Sequence, residues 1–273
     1  MTQSKRYSEY DTWALLYNQT MGPQYSLEQL KPLEIMLLPQ LPKDAQLLDL
    51  CCGTGHLMQP LLERGYKVTG LDGSEAMLNY ARENAPLGES ILVDARTFDI
   101  PESFDGVIST SASLNHILSL EELKAVFKKV YSALEPNGLF LFDLNHAAQM
   151  RKWWKSQVAE GEIETQFAWF ITPNYDTTSR MGNFRITLFE ASPYIKRRHI
   201  WKKLIYRILS LKLLTRFRLK VLSNFQQWEK NWQRFYITYE VRGYYPSEIQ
   251  AALEEVGFSQ VEIRTIDGKP DLD

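Results

Sequence analysis

The sequence predicts an α/β protein: a doubly wound, Rossmann-like, mostly parallel sheet with a mixed β-hairpin and helical insertion after the fifth strand. Short apolar runs, too brief for helices, alternate with stretches that have the periodicity of amphipathic helices. The first apolar run leads into a bare glycine turn, "LLDLCCGTGHL", at residues 47–57. Residues 146–245 separate the fifth predicted strand from a closing helix, which indicates an insertion.

The composition is that of a chain able to bury a substantial core, since 44% of its 273 residues are hydrophobic and 23% are charged. The N-terminal stretch "MTQSKRYSEYDTW" lacks the apolar core of a signal peptide, and no segment approaches the roughly 18 uninterrupted apolar residues that a membrane span needs. We therefore predict a cytoplasmic protein. Cys51 and Cys52, the only cysteines, are adjacent on a strand-like run, so no disulfide framework is expected.

The first elements surround the glycine turn. Two helices are predicted over residues 1–43, ahead of the strand "AQLLDL". The stretch "HLMQPLLERG", residues 56–65, has apolar residues at helical spacing and a stopping glycine. Gly53 and Gly55 therefore lie on a strand-to-helix turn. Glycine there permits positive φ and leaves no Cβ to keep a ligand from the main chain, while the helix N-terminus offers free N–H groups to an anion.

The next predicted strand, "YKVTGLD", ends at Asp72, 17 residues past Gly55, where an acid can accept hydrogen bonds from both hydroxyls of a ribose. Alternatively, Asp72 caps the following helix, a role that Ser74 fills at least as well. The third glycine of a dinucleotide fingerprint is replaced by Met58, and no lysine follows Gly55 as in a phosphate-binding loop. The sequence therefore predicts a nucleoside ligand without a pyrophosphate.

Five ordered motifs carry a family resemblance: "DLCCGTG", "GLDGSEAMLNYAREN", "VDARTFDIP", "FDGVISTSASLNHI" and "LEPNGLFLFDLN". Together they resemble the class I S-adenosylmethionine-dependent methyltransferases, specifically the small-molecule branch. The resemblance runs over residues 44–145 and resumes at "YYPSEIQAALEEVGFSQVEI", residues 244–263. The family's first motif is Asp/Glu-x-Gly-x-Gly-x-Gly, and Cys51 replaces its first glycine. The resemblance implies S-adenosyl-L-methionine as the cofactor.

The resemblance also implies roles for individual residues. Gly53 and Gly55 would lie against the methionine part of the cofactor, Asp72 would bind its ribose, residues 94–95 would bind its adenine, and residues 109–111 would line the floor near the sulfonium. The cofactor-binding residues predicted in this way are Tyr10, Trp13, Asp49, Cys52, Gly53, Gly55, Asp72, Gly73, Met77, Asp94, Ala95, Thr110 and Ser111.

The segment "YDTWALLYN" resembles the aromatic lid with which such family members open, although Asn18 replaces an acid of the pattern. Its aromatic residues either face the cofactor or form an ordinary buried helix face. Cys51 and Cys52 are expected to fill space under the turn rather than to act as nucleophiles, because the nearest imidazole, His56, begins a helix.

A methyl group on a sulfonium is already activated, so transfer needs an in-line nucleophile about 3 Å from the carbon and one proton acceptor. His116, just past the fourth strand, is the first candidate, since an imidazole with an ordinary pKa of about 6.5 suits a base at neutral pH. Tyr17 and His146 are further candidates. Alternatively, the "LNHI" stretch merely starts a helix. None of the four histidines has the spacing of a metal site, and no metal is predicted.

The insertion contains two different pieces. "QFAWFITPNYDTTSRMGNFRITLFE" alternates apolar and polar residues around "NYDTTS", which is typical of a β-hairpin, and we expect this piece to cover the substrate. Residues 196–234 contain twelve Lys or Arg and one acid, Glu229, a net charge of +11. Because the whole chain has a net charge of −2, the other 234 residues carry −13.

Within this basic segment, an amphipathic helix is predicted between Arg197 and Leu209. Its apolar stripe would comprise residues 200, 201, 204, 205, 208 and 209, with Lys202, Lys203 and Arg207 off the stripe. A basic amphipathic helix with tryptophan is typical of a peripheral membrane contact, here over residues 197–222, or of a lid for an acidic or lipid-like acceptor. A helix packed on the domain with a solvated cationic face is the alternative, and nucleic acid binding is the weakest interpretation.

The domains predicted are an N-terminal helical lid, a Rossmann-like cofactor core, a substrate-covering insertion, and a closing helix and strand: 1–43, 44–145, 146–245 and 246–273. After "QVEIRT" a seventh strand would normally return antiparallel, but only "IDGKPDLD" remains. Either the insertion supplies the seventh strand, or the sheet has six strands.

The predicted function is S-adenosylmethionine-dependent methyl transfer to O or N of a small-molecule acceptor. The alternatives are a nicotinamide-dependent Rossmann oxidoreductase, against which Met58 argues, and a non-catalytic membrane-surface binding protein, against which the intact glycines and acids argue.

Overall fold

The chain folds into two compact units, and a computed structural model describes residues 5–101, 103–191 and 200–270. The first unit comprises Met1–Asn145 with Tyr244–Asp273, and the second comprises His146–Gly243. The domain boundaries given above, and the covering role of the insertion, stay predictions.

The first unit contains a five-stranded sheet with the order β3-β2-β1-β4-β5, in which every neighbouring pair is parallel. The order reverses between β1 and β4, and ligands of open α/β sheets bind at the carboxyl ends of strands beside such a reversal. The strands are β1 (Gln46–Leu50), β2 (Lys67–Asp72), β3 (Glu89–Leu92), β4 (Phe104–Ser109) and β5 (Leu134–Phe142).

Helices cover both faces of this sheet. They include α1 (Lys5–Gln19), α2 (Met21–Met36), α3 (Met58–Glu63), α4 (Glu75–Asn84) and α5 (Leu120–Ala133). Neighbouring residues of β1 point to opposite faces, as a pleated strand requires. Leu47 packs in one cluster with Leu33 of α2 and Leu61 of α3, whereas Leu48 packs in a second cluster with Phe127 of α5. The predicted doubly wound, Rossmann-like architecture is confirmed.

The second unit contains a four-stranded antiparallel sheet with the order β6-β7-β8-β9. Its β7–β8 hairpin is the one predicted around "NYDTTS", and Asp176 begins its turn by accepting a hydrogen bond from the backbone N–H of Thr178 at 2.9 Å. The elements of this unit are α6 (Ala147–Trp153), β6 (Glu160–Ile163), β7 (Phe167–Asp176), β8 (Met181–Glu190), α7 (Ile200–Leu209), α8 (Thr215–Ser223), α9 (Phe225–Trp228) and β9 (Gln233–Arg242).

The basic amphipathic helix forms as α7, and most of its predicted apolar stripe faces solvent rather than the core. Within α7, Leu209 is buried together with Tyr206, while the other described stripe residues are exposed. The buried face is set by Glu229, which accepts hydrogen bonds from Lys202 and Tyr206. The predicted positions before residue 200 lie outside the described residues. None of the helices in the described ranges is long and apolar enough to cross a membrane.

The predicted closing strand is wrong. The helix α10 (Pro246–Val256) forms as expected, but residues 259–263 do not join the sheet of the first unit, so the described sheet has five strands rather than six or seven. Gln260 has a φ of 55°, in the left-handed region, which interrupts the extended backbone that strand pairing requires. Arg264 forms only an isolated bridge with Pro270. The insertion does not supply a strand either, because β9 pairs with β8.

Candidate active site

The turn after β1 begins at Cys51, whereas the two cysteines were expected on a strand-like run. The strand ends at Leu50, and Cys51 has a φ of 65°, so Cys51 and Cys52 belong to the turn rather than to the strand. Both backbone N–H groups donate to the carbonyl of Leu71, at 2.7 and 3.0 Å. Burial, followed by nearby carboxylates, raises the pKa of both free thiols well above the ordinary range. Neither cysteine is therefore a thiolate nucleophile at neutral pH.

The two glycines of the turn serve different purposes. Gly53 and Gly55 have φ of 54° and 72°, a conformation that glycine adopts without steric cost. A Cβ on Gly55 would lie 2.8 Å from the Cα of Ala81, so this glycine lets the turn approach α4. A Cβ on Gly53 would meet only the ring of Tyr17, at 3.7 Å. Gly53 therefore borders open space.

That space is a cavity of about 380 Å³ of empty volume, open to solvent, between the glycine turn, α1–α2 and the loop after β4. It brings together six of the predicted site residues: Tyr17, Asp49, Cys52, Gly53, Thr110 and Ser111. His56 also lines the cavity and was not predicted as a site residue, although it follows the second glycine directly. Burial lowers the pKa of His56, whose Nδ1 lies 2.9 Å from the Thr54 hydroxyl.

Asp72, at the end of β2, connects the second strand to the turn. Its Oδ2 accepts from the backbone N–H of Gly53 and its Oδ1 from that of Ser74, both at 2.9 Å. The helix cap is Ser74, whose hydroxyl accepts from the N–H of Met77 at 3.2 Å, so Asp72 is not required for that purpose. Burial raises the pKa of Asp72, although the N–H donors lower it in part. Its ribose role stays a prediction.

Asp49, in β1, is a buried carboxyl group with an unpartnered oxygen. The side chain is 2% exposed, and its Oδ2 has no hydrogen-bond partner among the described residues. Burial, and then the charge of Asp72, raise its pKa to about 7. A buried polar atom without a partner costs free energy, which a bound ligand that supplies a donor or a positive charge recovers.

Asp94 is already paired in this structure. Arg96 lies 2.6 Å from its Oδ2 through Nη2 and 3.0 Å from its Oδ1 through Nε. The same guanidinium contacts Glu122 at 2.6 Å. The adenine role of Asp94 stays a prediction, and it requires the carboxylate to bind the adenine amine in addition to Arg96.

Two candidates for proton acceptor differ in their surroundings. Burial, followed by the charges of Asp72 and Asp49, raises the pKa of Tyr17, so its hydroxyl stays protonated and acts as a donor. His116 lies in a 3₁₀ turn after β4, and the hydroxyl of Tyr10 is 3.0 Å from each of its ring nitrogens. The two rings meet edge-on with centroids 5.6 Å apart. His146 belongs to the second unit.

The other predicted residues lie around the cavity rather than along its lining. Trp13 and Met77 are 4% and 3% exposed, so both are core residues of α1 and α4, and Ala95 is 8% exposed. Gly73 lies between Asp72 and the cap of α4. No group of three or more metal-ligating side chains was found in the ranges that the structure describes.

Asp143, directly after β5, was missed by sequence reasoning. Both of its carboxylate oxygens lie 3.1 Å from the backbone N–H of Ala112. Ser111 and Ala112 have φ of 61° and 56°, a strained conformation for residues other than glycine. Burial raises the pKa of Asp143 to about 6. Hydrogen bonds from backbone N–H groups, including that of Ala112, oppose this increase. The available signal in the sequence was the position of this acid at the carboxyl end of a predicted strand.

The fold and the site define a class of protein, and comparisons with known proteins agree. A family model described as "Methyltransferase domain" matches residues 47–138. An uncharacterized methyltransferase, sll0829, from Synechocystis is 32% identical over 152 residues, which are 55% of this chain and 70% of that protein. The chain belongs to the methyltransferases, and its fold is that of the class I, S-adenosylmethionine-dependent members.

Two further proteins show how far the likeness extends. The putative methyltransferase YqeM of Bacillus subtilis is 30% identical over 159 residues, which are 56% of this chain and 64% of that protein, so the chain spans less than two thirds of it. A crystal structure of an S-adenosylmethionine-dependent methyltransferase from Clostridium acetobutylicum has the same fold, with a TM-score of 0.67 at 18% identity, covering 96% of this chain and 93% of that one.

Proposed function

We propose that this chain is an enzyme that transfers a methyl group from S-adenosyl-L-methionine to an oxygen or nitrogen of a small molecule. The observation that carries the proposal is the cavity beside Gly53, which is lined by Asp49, a buried carboxyl group whose Oδ2 has no partner among the described residues. The cofactor carries positive charge on its sulfonium and its amino group. A cavity lined by Asp49, with the carboxylate of Asp72 bound to the backbone N–H of Gly53, favours such a ligand. The described lining includes no Lys or Arg.

The residues fit the cofactor in the following way. Gly53 leaves space for the methionine part, because a side chain there would project toward Tyr17. Asp72 accepts hydrogen bonds from the ribose hydroxyls while it holds the turn through the N–H of Gly53. Thr110 and Ser111 form the floor of the cavity near the reacting centre.

When bound, the cofactor supplies a methyl group on a positively charged sulfur, which makes transfer to a lone pair favourable. The protein orients the acceptor so that its lone pair lies in line with the methyl group. His116 accepts the proton that the acceptor oxygen or nitrogen loses. Tyr10 holds the imidazole through its hydroxyl, which lies 3.0 Å from both ring nitrogens.

Relatives support a small acceptor. Three of them are named as an N,N-dimethyltransferase of a dTDP-linked amino sugar, a glycine/sarcosine N-methyltransferase and a trans-aconitate 2-methyltransferase, at 31%, 35% and 30% identity. The matches cover only 43%, 39% and 49% of these proteins, so they support the class of acceptor rather than its identity. An acidic or lipid-like character of the acceptor stays a prediction.

Isothermal titration calorimetry tests cofactor binding. The native protein should bind S-adenosylmethionine and its demethylated product but not NAD, and Asp72→Ala should lose this affinity. Asp99→Ala is the matched control, because that side chain is 91% exposed. If the native protein releases no heat with either methyl-cofactor form, or if Asp72→Ala binds as tightly as the control, the proposal is wrong.

The acceptor can then be found by thermal stabilisation. Candidate acceptors are added together with the demethylated cofactor, and a molecule that binds the folded protein raises the melting temperature by mass action. Amino sugars, amino acids and carboxylic acids form the first panel. Methylation of the stabilising compound, detected by mass spectrometry, establishes transfer and distinguishes oxygen from nitrogen.

A further inference from the structure

The helix α7 presents an exposed apolar surface. Trp201, Leu204, Ile205 and Ile208 are 78%, 52%, 52% and 45% exposed. Their spacing of i, i+3, i+4 and i+7 places them on one continuous face of the helix. Four large apolar side chains that meet solvent on one helix face are unusual for a soluble surface, where such residues are mostly scattered.

The opposite face of α7 is fixed to the second unit. Tyr206 and Leu209 belong to the buried cluster of that unit. Lys202 forms an ion pair with Glu229 at 2.6 Å, and Glu229 is only 8% exposed. Tyr206 donates a second hydrogen bond to the same carboxylate. These contacts determine which way the helix is turned, so its apolar face is directed away from the core of this unit.

The exposed apolar residues continue beyond α7, through a 3₁₀ turn at Lys212–Leu214 and into α8 and α9. They are Leu211, Leu213, Phe217 and Trp228, at 56%, 94%, 57% and 71% exposure. The apolar surface is therefore a property of the whole helical segment of the second unit rather than of one turn.

The same segment is strongly basic. Residues 200–228 contain seven Lys or Arg and no Asp or Glu. One of the seven, Lys202, is paired with Glu229, and Arg218 is 9% exposed. Arg207, Lys212, Arg216 and Lys220 are exposed. An exposed apolar face beside several cations and no acid is complementary to a surface that offers both anionic groups and hydrocarbon.

We propose that residues 200–228 dock on the surface of an anionic lipid bilayer. The helices lie in the plane of the headgroups, with Trp201, Leu204 and Ile208 in the interfacial region and the arginine and lysine side chains on lipid phosphates. A second copy of the chain is a poorer occupant, because a two-fold interface would bring two acid-free basic segments together. Nucleic acid offers the negative charge but no hydrocarbon for the apolar face.

Vesicle co-sedimentation of the whole 273-residue chain tests this without cofactor or acceptor, so its result is independent of the proposed enzymatic function. The probes are vesicles of phosphatidylcholine alone and of phosphatidylcholine with phosphatidylserine. The native protein should bind the anionic vesicles, and binding should weaken as salt is added. Equal binding to both kinds of vesicle, or binding to neither, overturns the proposal.

Two pairs of variants separate the charged from the apolar contribution. Replacing two exposed cations, Arg207→Gln with Lys212→Gln, should weaken binding roughly 25-fold, about fivefold for each charge removed. The matched control, Lys31→Gln with Lys43→Gln, removes two exposed lysines of the first unit and should bind like the native protein. If both double variants bind equally, the basic segment is not the docking surface.

The apolar pair is Leu204→Gln with Ile208→Gln, which should reduce binding roughly tenfold or more. Its control, Leu27→Gln with Leu87→Gln, changes two exposed leucines of the first unit, 69% and 84% exposed. Circular dichroism should show that all variants remain folded. Sedimentation velocity is measured on the same samples. A native dimer that the apolar pair converts into a monomer would assign the surface to a second copy and overturn the proposal.

Discussion

The carboxylate of Asp143 holds the backbone N–H of Ala112, which lies 3.1 Å from each of its oxygens. This contact joins the end of β5 to the loop after β4, where Ser111 and Ala112 both adopt positive φ. A single side chain therefore stabilises the strained floor of the cavity.

Replacing Asp143 by alanine should free that loop. The variant should lose about 1–3 kcal/mol of unfolding free energy, because the partly buried N–H of Ala112 loses its partner. Its affinity for S-adenosylmethionine should fall as well, since Ser111 lines the cavity. Urea unfolding and calorimetry measure the two effects. Asp143→Asn keeps an acceptor oxygen and should retain most of the stability and most of the cofactor affinity. Equal losses in the alanine and asparagine variants would contradict the role given to Asp143.

Asp49→Asn should stabilise the unliganded protein at alkaline pH and weaken cofactor binding. The pKa of Asp49 is raised from 3.8 to about 7, so its contribution to stability is fully present below pH 4 and is lost as the pH rises through about 7. The variant should exceed the native protein by about 2–4 kcal/mol at pH 8, at ~1.4 kcal/mol per pKa unit, and by little at pH 4. Melting temperatures measured across this range check it, and a difference independent of pH would count against it.

The two glycines of the turn should respond differently to alanine. Gly55→Ala should lose about 2–4 kcal/mol of stability, because its Cβ meets Ala81 at 2.8 Å in addition to the cost of positive φ. Gly53→Ala should lose only about 1–2 kcal/mol but bind the cofactor roughly tenfold or more weakly. Gly65→Ala, with φ of 95° and no close neighbour, is the control for strain alone and should keep full affinity. Equal affinities for the Gly53 and Gly65 variants would disprove the role given to Gly53.

His116→Gln should reduce kcat about 10²–10⁴-fold with the acceptor found in the stabilisation screen, while the Kd of the cofactor stays unchanged. Tyr10→Phe should reduce kcat less, because it removes the hydroxyl that orients the ring but not the proton acceptor. A His116→Gln variant that keeps the native kcat would exclude His116 as the base.

The local parts of the fold could be predicted from the sequence. The strand, the glycine turn and the next strand ending at Asp72 follow from short-range periodicity and from glycine conformation. The buried face of α7 could not be predicted in this way, because it is determined by Glu229, which lies 27 residues after Lys202. The loss of strand structure after residue 258 was equally hidden, since the left-handed φ of Gln260 is a backbone property that its side chain does not signal.

The residues of the candidate site likewise divide into those that sequence motifs predict and those that depend on contacts in the folded chain. Asp49, Gly53 and Tyr17 were predicted from motifs and meet in one cavity. Asp143 was not, because its role depends on β5 lying beside β4 in register, which places it next to Ala112. The ion pair of Asp94 with Arg96 was also missed, although the two residues are only two positions apart in the chain. Family motifs assign a residue to the ligand and not to its protein partners.

Cys51 has consequences for how chains of this kind are recognised. It keeps the left-handed backbone of a glycine at a cost of about 1–2 kcal/mol, while its side chain packs against the core cluster beneath the sheet edge. The first glycine position of the motif thus accepts a small side chain, whereas the second, Gly53, borders the ligand space. A search pattern that insists on three glycines would overlook this chain. A pattern that requires only the second and third, Gly53 and Gly55, keeps both positions where the backbone geometry requires glycine.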